Sequence, residues 1–180
     1  MVDMTTVTLV TPIGAARREQ VVAATRDCLR RLRRILECEL PPIPVRFDLR
    51  GRSAGMFRIR NGAAEIRYNP YLFARYFREN MESTVPHEAA HYAVDRVHGR
   101  RVRPHGAEWR ALMIALGVAP EVRASFDMAG IPVRRTGRHL YRCGCGEHLL
   151  SAIRHGRVLR GGCYTCRSCG MNLSRVGEGG

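Results

Sequence analysis

The chain has 180 residues, of which 45% are hydrophobic, and a formal net charge of +14 at neutral pH. No apolar run approaches the roughly 20 residues that cross a bilayer, so the composition excludes a membrane-spanning protein and we expect no membrane partner. All 30 basic residues are arginine. Arginine pairs well with phosphate, and the charge favours contact with nucleic acid, although a coding bias would also replace lysine with arginine.

The first residues, MVDMTTVTLVTP, lack the basic and apolar segments of a secretory signal. We therefore expect a cytoplasmic monomer, with association with the nucleoid as one option. Five of the seven cysteines lie between Cys143 and Cys169 at short spacings, which favours metal ligation over disulfides. Cys28 and Cys38 stand among apolar residues, where a reduced thiol acts as a small hydrophobe.

The first predicted element is a long amphipathic helix within residues 15–40. Val21, Ala24, Cys28, Leu32 and Ile35 form its apolar stripe, and arginines fill the other faces. Arg30 and Arg34 are candidate nucleic-acid contacts, although a solvated outer face is the commoner role of such arginines. Proline 41 and its neighbours end the helix.

Three short strands follow, VRFDL, MFRIR and AEIRYN, the last two joined as a hairpin through Asn61 and Gly62. The segment PYLFARYFREN then favours helix. Further helices are predicted over about 81–98 and 107–116. Beyond residue 130 there are too few apolar residues for a separate hydrophobic core, so we expect one folded domain over 1–130 and a metal-dependent segment over 131–180.

The helix over 81–98 carries the motif HEAAH. His87 and His91 are four residues apart, so they project from one helical face and can ligate one zinc ion. Glu88 can stand beside the metal, take a proton from zinc-bound water and pass it to a leaving amine. This is the logic of HExxH metallopeptidases, but the bare motif also arises by chance.

A hydrolytic zinc needs three protein ligands and an open position for water. His98 lies seven residues past His91 on the same helix, about 10 Å along the axis, which is too far. His105 follows a loop that can return the chain to the metal and is our choice for the third ligand. Glu108 remains an alternative ligand, or a residue that orients one of the histidines.

A second metal site is predicted in the tail. Knuckles at C-x-x-H and C-x-x-C spacing, Cys145 with His148 and Cys166 with Cys169, give four ligands of a zinc ribbon. Cys143 can replace Cys145 or His148, and Cys163 is left over. We therefore expect two zinc ions, one catalytic and one structural.

The segment between these knuckles is predicted to be a hairpin that carries three candidate nucleic-acid contacts, Arg154, Arg157 and Arg160. The tail from residue 131 holds nine arginines against two glutamates, which favours phosphate contact. An exposed, solvated loop is the competing interpretation.

Four ordered segments, at 47–70, 85–91, 104–118 and 141–173, resemble the SprT-like family of zinc metallopeptidases, which includes the Spartan proteases, and especially its compact bacterial members. The resemblance implies an α+β fold of zincin-like type, with helices packed on a short three-stranded sheet and a small zinc ribbon after it. It also implies a catalytic zinc on His87, His91 and His105, with Glu88 as base. Gly51, Ala54, Gly55, Arg58, Asn69 and Pro70 match the family's sheet segment as structural residues.

Eukaryotic members of the family cleave proteins crosslinked to DNA. We therefore expect a zinc metalloendopeptidase that acts on proteins or peptides, with DNA as a partner. The alternatives are a nucleic-acid-binding zinc protein with little or no peptidase activity, and a peptidase without a nucleic-acid role. Tyr68, Tyr76 and Tyr92 are candidate donors to the transition-state oxyanion, and the sequence does not choose among them.

Overall fold

The computed structural model describes residues 9–122, 125–133 and 137–176. The chain divides into two compact units between residues 133 and 134. The fold is mixed α+β, with one three-stranded sheet in each unit. The elements of the first unit are α1 (Ala15–Leu36), β1 (Val45–Arg46), β2 (Gly55–Arg60), β3 (Ala63–Tyr68), α2 (Pro70–Arg75), α3 (Phe77–Glu79), a π-helical turn (Asn80–Thr84), α4 (Val85–His98), a 3-10 turn (Gly99–Arg101) and α5 (Ala107–Ala115). Those of the second are β4 (Arg138–Cys143), β5 (Gly146–Ser151), α6 (Ala152–Leu159) and β6 (Ser174–Arg175).

The three strands predicted for the first unit are present, in the spatial order β1-β3-β2. β1 runs parallel to β3, and β2 pairs antiparallel with β3 as the predicted hairpin. Asn61 and Gly62 form the turn with φ of 50° and 79°. Positive φ at both central residues is the requirement of the tight hairpin turn that Asn-Gly sequences favour. In the order β1-β3-β2, both β1 and β2 are edge strands of this sheet.

The long helix α1 packs against α4, and its buried residues are Val21, Thr25, Leu29 and Leu32. The predicted stripe is only partly correct, because Ile35 is 43% exposed. The stripe drifts toward Leu29 as a straight helix of 3.6 residues per turn requires. The hydroxyl of Thr25 lies 3.0 Å from that of Tyr68, so the buried polar groups satisfy each other.

The helix α4 begins later than predicted. Residues 80–84 form a π-helical turn, and α4 proper runs from Val85, with Pro86 in its first turn, to His98 before Gly99 at φ 61°. The fully buried Asn80 fixes the turn, because its amide donates to the Leu72 and Tyr76 carbonyls and its oxygen accepts from the Thr84 hydroxyl at 2.7 Å. π-helical turns often lie beside functional sites.

The helix α4 buries one apolar face, formed by Val85, Ala89, Ala90, Ala93 and Val94, whereas Val97 is 45% exposed. Because these residues occupy one side of the helix, α4 is anchored in the core of the first unit.

The second unit has a sheet of order β5-β4-β6 with antiparallel pairing throughout. The hairpin predicted between the knuckles is wrong, because residues 152–159 form the helix α6. Ser151 caps it by accepting a hydrogen bond from the Arg154 amide. His155 anchors it, since its Nδ1 lies 2.9 Å from the buried Tyr141 hydroxyl.

Within the described residues, no helix is both long and apolar enough to cross a membrane.

Candidate metal centres

Three histidines converge in the first unit. His87 and His91 lie one turn apart on α4, and His105 precedes α5 after the loop that follows α4. The Nε2 atom of His91 is 3.1 Å from that of His87 and 3.1 Å from that of His105, and the third distance is 3.2 Å. The three nitrogens therefore point at one common position.

Hydrogen bonds cannot explain all three contacts. An imidazole nitrogen either carries a proton or offers a lone pair, so at least one pair among three mutually contacting Nε2 atoms must be donor facing donor or acceptor facing acceptor. A shared cation removes this conflict. Nitrogens bound tetrahedrally to zinc at 2.0–2.1 Å lie about 3.3–3.4 Å apart, close to the spacing seen here. These residues could therefore hold a metal ion.

The imidazoles are also in the form that binds metal. Burial, followed by the charges of neighbouring histidines, lowers the pKa of His87 to about 4 and that of His91 to about 3. Burial also lowers the pKa of His105. The backbone of Glu121 accepts a hydrogen bond from the His87 ring and opposes the first shift. Neutral rings at neutral pH offer free lone pairs to a cation.

Trp109 lies under all three rings. Its ring centroid is 4.7 Å from that of His87, 5.5 Å from that of His91 and 4.8 Å from that of His105. The indole N–H donates to the His87 carbonyl at 3.3 Å, and the side chain is fully buried. A rigid aromatic wall of this kind restricts how far each imidazole can tilt.

Glu88 follows the first histidine and is only 6% exposed. Its Oε2 accepts a hydrogen bond of 2.6 Å from the Phe57 amide on β2. Burial raises the pKa of Glu88 to about 7, and the Phe57 hydrogen bond opposes that rise. A carboxyl group with a pKa near neutral pH is suited to taking and returning a proton.

A cavity of about 710 Å³ opens beside His87 and Glu88. The start of β2, the π-helical turn and the segment after α5 contribute its walls. Its lining combines polar and apolar side chains, including Arg52, Ser53, Thr84, Met113, Val118, Glu121 and Phe126. Both the carboxylate of Glu88 and the first histidine line this cavity.

The second cluster is in the other unit. Cys143, Cys145, His148 and Cys166 have ligand atoms within 4.8 Å of one another and could hold a metal ion. The Cys143 Sγ is 3.3 Å from the Cys145 Sγ and 3.1 Å from the His148 Nε2, and the Cys145 and Cys166 sulfurs are 3.5 Å apart. Three cysteine sulfurs and one imidazole nitrogen around one point form a closed set of the kind that structural zinc sites use.

Backbone amides support the knuckle that contains Cys166. The Ser168 N–H donates to the Cys166 Sγ at 3.4 Å. Hydrogen bonds from the Cys169 and Ser168 amides lower the pKa of Cys166 to about 5, which favours the thiolate. The thiols of Cys143, Cys166 and Cys169 raise the pKa of Cys145 to about 12. Cys169 therefore lies near Cys145, although it is outside the group of four.

A profile of the SprT-like family matches residues 25–135, which include the histidines and Glu88. Protein SprT of Pseudomonas aeruginosa strain LESB58 is 34% identical over 164 residues, which cover 89% of this chain and 96% of that protein. The chain belongs to the SprT-like family. Protein SprT of Serratia proteamaculans is 37% identical over 163 residues, covering 89% of this chain and 92% of that protein. Protein SprT of Vibrio parahaemolyticus is 33% identical over 153 residues, covering 84% and 89%. No solved structure matches the chain.

The resemblance stated from sequence is thus confirmed, and family membership suggests a metallopeptidase-like role for this SprT-like chain. The structure places His105 with His87 and His91, whereas His98 is exposed and Glu108 lies outside the group. In the tail, Cys143 joins the group of four and Cys163 does not. Arg30, Arg34, Arg154, Arg157 and Arg160 are all exposed.

The tyrosines considered as oxyanion donors have other partners in this SprT-like chain. The Tyr68 hydroxyl meets Thr25, the Tyr76 hydroxyl donates to the Asp127 carbonyl, and the Tyr92 hydroxyl donates to the Pro41 carbonyl. The contact of Trp109 with the three histidines was not predicted from the sequence. The available signal was the position of Trp109 four residues after His105, where one helical turn brings two side chains together.

Proposed function

We propose that this chain is a zinc-dependent metalloendopeptidase of the HExxH type. The observation that carries the proposal is the convergence of the His87, His91 and His105 Nε2 atoms within 3.2 Å, next to the buried carboxylate of Glu88. Three neutral imidazoles form an incomplete tetrahedral set, as hydrolytic zinc sites require. A structural site has no use for a carboxyl group with a pKa near 7.

The chemistry divides between the metal and the chain. Zinc held by the three imidazoles would supply a Lewis acid, which would make water more acidic and polarise a peptide carbonyl. Glu88 accepts the proton of the attacking water and then delivers it to the nitrogen of the leaving amine. The Phe57 amide and the surrounding core fix the carboxylate, and Trp109 limits movement of the imidazoles. The polypeptide would enter the cavity beside His87, because both His87 and Glu88 line it.

We further propose a structural zinc in the second unit, held by four of Cys143, Cys145, His148, Cys166 and Cys169. Closed sites of this composition fold segments that lack a hydrophobic core. The proposed layout is a zincin-like peptidase domain over 1–130 and a zinc ribbon over 131–180. The amide hydrogen bonds to the Cys166 sulfur support the ribbon, because they stabilise a thiolate at that position.

Proteins bound or crosslinked to DNA are the proposed substrates. Arginines supply the support, since the chain has a net charge of +14 and exposes Arg154 and Arg157 on α6 and Arg34 on α1. Guanidinium groups on an exposed helical face can contact phosphates without base specificity. DNA binding would then bring the peptidase to protein that is attached to DNA.

The test combines metal analysis with a protein-cleavage assay, with and without DNA, on the native chain and on Glu88→Gln. We expect two zinc ions per chain in both proteins, and cleavage lowered by orders of magnitude in the variant, because glutamine keeps the shape but cannot accept the proton. Equal cleavage by both proteins would exclude Glu88 as the base. DNA binding without cleavage by the native chain would favour a nucleic-acid-binding protein instead.

A further inference from the structure

The edge strand β2 touches Glu88 at two alternate residues. At Phe57 the contact is the 2.6 Å hydrogen bond from the amide to Oε2. At Gly55 the contact is a close approach of backbone to side chain. A β-carbon at Gly55 would lie 2.6 Å from the Glu88 Cγ, 2.6 Å from its Oε1 and 2.7 Å from the Thr84 Cγ2. Real β-carbons essentially never come within 3.0 Å of such atoms.

Backbone conformation does not explain the glycine. The φ of Gly55 is outside the left-handed region, unlike that of Gly51 or Gly62, so other residues could adopt its conformation. Glycine within a strand often marks a place where another group approaches the backbone closely. Here the approaching group is the carboxylate side chain proposed as the base.

The two contacts have one geometric origin. Residues 55 and 57 are two apart on the strand, so their backbone polar groups point to the same edge. The opposite edge of β2 pairs with β3, where Gly55 faces Tyr68 and Phe57 faces Ile66. The free edge is thus directed at Glu88, and the missing side chain at residue 55 lets it come within hydrogen-bonding distance.

We propose that Gly55 is a positioning residue for Glu88, whose absent side chain lets β2 hold the carboxylate through the Phe57 amide. This inference rests on the proposed function, because positioning matters only if Glu88 is the base. A methyl group at residue 55 must move the carboxylate or the strand by roughly 1 Å to restore ordinary contacts. Displacements of about that size can lower a catalytic rate about 100-fold.

The experiment compares Gly55→Ala with Gly14→Ala, since a β-carbon at Gly14 meets nothing within 4 Å. For Gly55→Ala we expect kcat lowered about 100-fold, KM within about two-fold of native and zinc content unchanged, because no ligand histidine is touched. Gly14→Ala should keep native kcat. Native kcat in Gly55→Ala, or a loss explained by missing zinc, would overturn the inference.

A second substitution separates Glu88 from Thr84 as the group that is disturbed. Thr84→Ser removes the Cγ2 atom but keeps the hydroxyl that donates to Asn80. Adding it to Gly55→Ala should leave kcat low, because the Glu88 contacts persist. Restored kcat would show that Thr84 caused the loss and would overturn the inference.

A stability measurement tests the same contact without using activity. Glu88→Ala removes both Glu88 atoms that a β-carbon at residue 55 would meet. The fall in melting temperature caused by Gly55→Ala should therefore be smaller in the Glu88→Ala background than in the native one. Equal falls in melting temperature would overturn the inference. This test does not depend on activity, so it holds even if the native chain cleaves no protein. Absence of cleavage by the native chain would instead overturn the proposed function. The same comparison of melting temperatures can be made if Gly55→Ala is too unstable for kinetic measurements.

Discussion

The indole of Trp109 stacks on the imidazole of His91, with ring centroids 5.5 Å apart and an interplanar angle of 23°. The same indole meets His87 and His105 nearly edge-on, at 65° and 85°. One side chain thus limits the orientation of three rings that lie on two separate elements. It is also the single tryptophan of the chain, so its fluorescence reports on this site alone.

Replacing Trp109 should weaken the binding of metal by the histidines. Trp109→Phe keeps an aromatic ring but loses the hydrogen bond to the His87 carbonyl and part of the aromatic surface under the imidazoles. Residues that support metal ligands typically contribute about 10-fold to 100-fold to metal affinity. We expect about a 10-fold weaker zinc affinity by competition with a chelator. Leu112→Ala, a core change on the same helix, is the control for general destabilisation. Equal losses of affinity in both variants would argue against a specific role.

The metal-free protein should show a pH dependence of stability that comes from Glu88. Its pKa is about 7 in the folded chain against an ordinary value of 4.5. Between pH 4.5 and about pH 7, the carboxyl group is therefore mostly protonated in the folded state and mostly ionised in the unfolded state. This contribution is fully present below about pH 4.5 and is lost as pH rises through about 7. The size of the loss is on the order of 3 kcal/mol.

Glu88→Gln isolates that contribution, because glutamine does not titrate. The difference in unfolding free energy between the variant and the native chain, both stripped of metal, should grow in favour of the variant from pH 4.5 to 7. The low pKa values of His87 and His91 give the opposite trend in each protein and cancel in the difference. Parallel stability curves would contradict the raised pKa.

The second unit should depend on its cysteine cluster for folding. Cys166→Ser removes a buried sulfur that accepts backbone hydrogen bonds and contacts Cys145, so we expect the loss of one zinc ion per chain and melting of β4 and β5. Cys163→Ser is the matched control, since Cys163 is exposed and outside the group. Metal analysis and hydrogen exchange measure the two effects. Retention of both ions in Cys166→Ser would reject this ligand.

Binding to DNA should weaken steeply with salt. Each arginine–phosphate contact contributes about 0.9 to the slope of log affinity against log salt concentration. Arg157→Ala on α6 should therefore lower the slope by about one and weaken binding equally across sequences. Arg78→Ala is the control, because Arg78 is also exposed but forms an ion pair with Glu82. A slope near zero for the native chain would remove DNA from the proposed function.

Several features could be predicted from the sequence because they depend on neighbours along the chain. The pair His87 and His91 needs only helical periodicity, which the apolar spacing of α4 already indicates. The β2–β3 hairpin needs only the turn chemistry of Asn61 and Gly62. The helix α6 was missed although Ser151 offered a cap, because the segment is only eight residues long and contains Gly156, and glycine lowers helix propensity.

Other features were decided by tertiary structure. Whether His105 or Glu108 approaches the histidine pair depends on the path of the loop after α4 and the rotation of α5, which no local pattern specifies. The position of Trp109 beneath His87 and His91 joins segments distant in sequence, and so does the approach of Gly55 to Glu88. The group of four likewise joins Cys143 to Cys166, which lies far along the chain. The sequence by itself determined which chemical groups are available and which share a helix. Only packing determined which of them meet, because distances across a core are set by the contacts of all the elements that surround it.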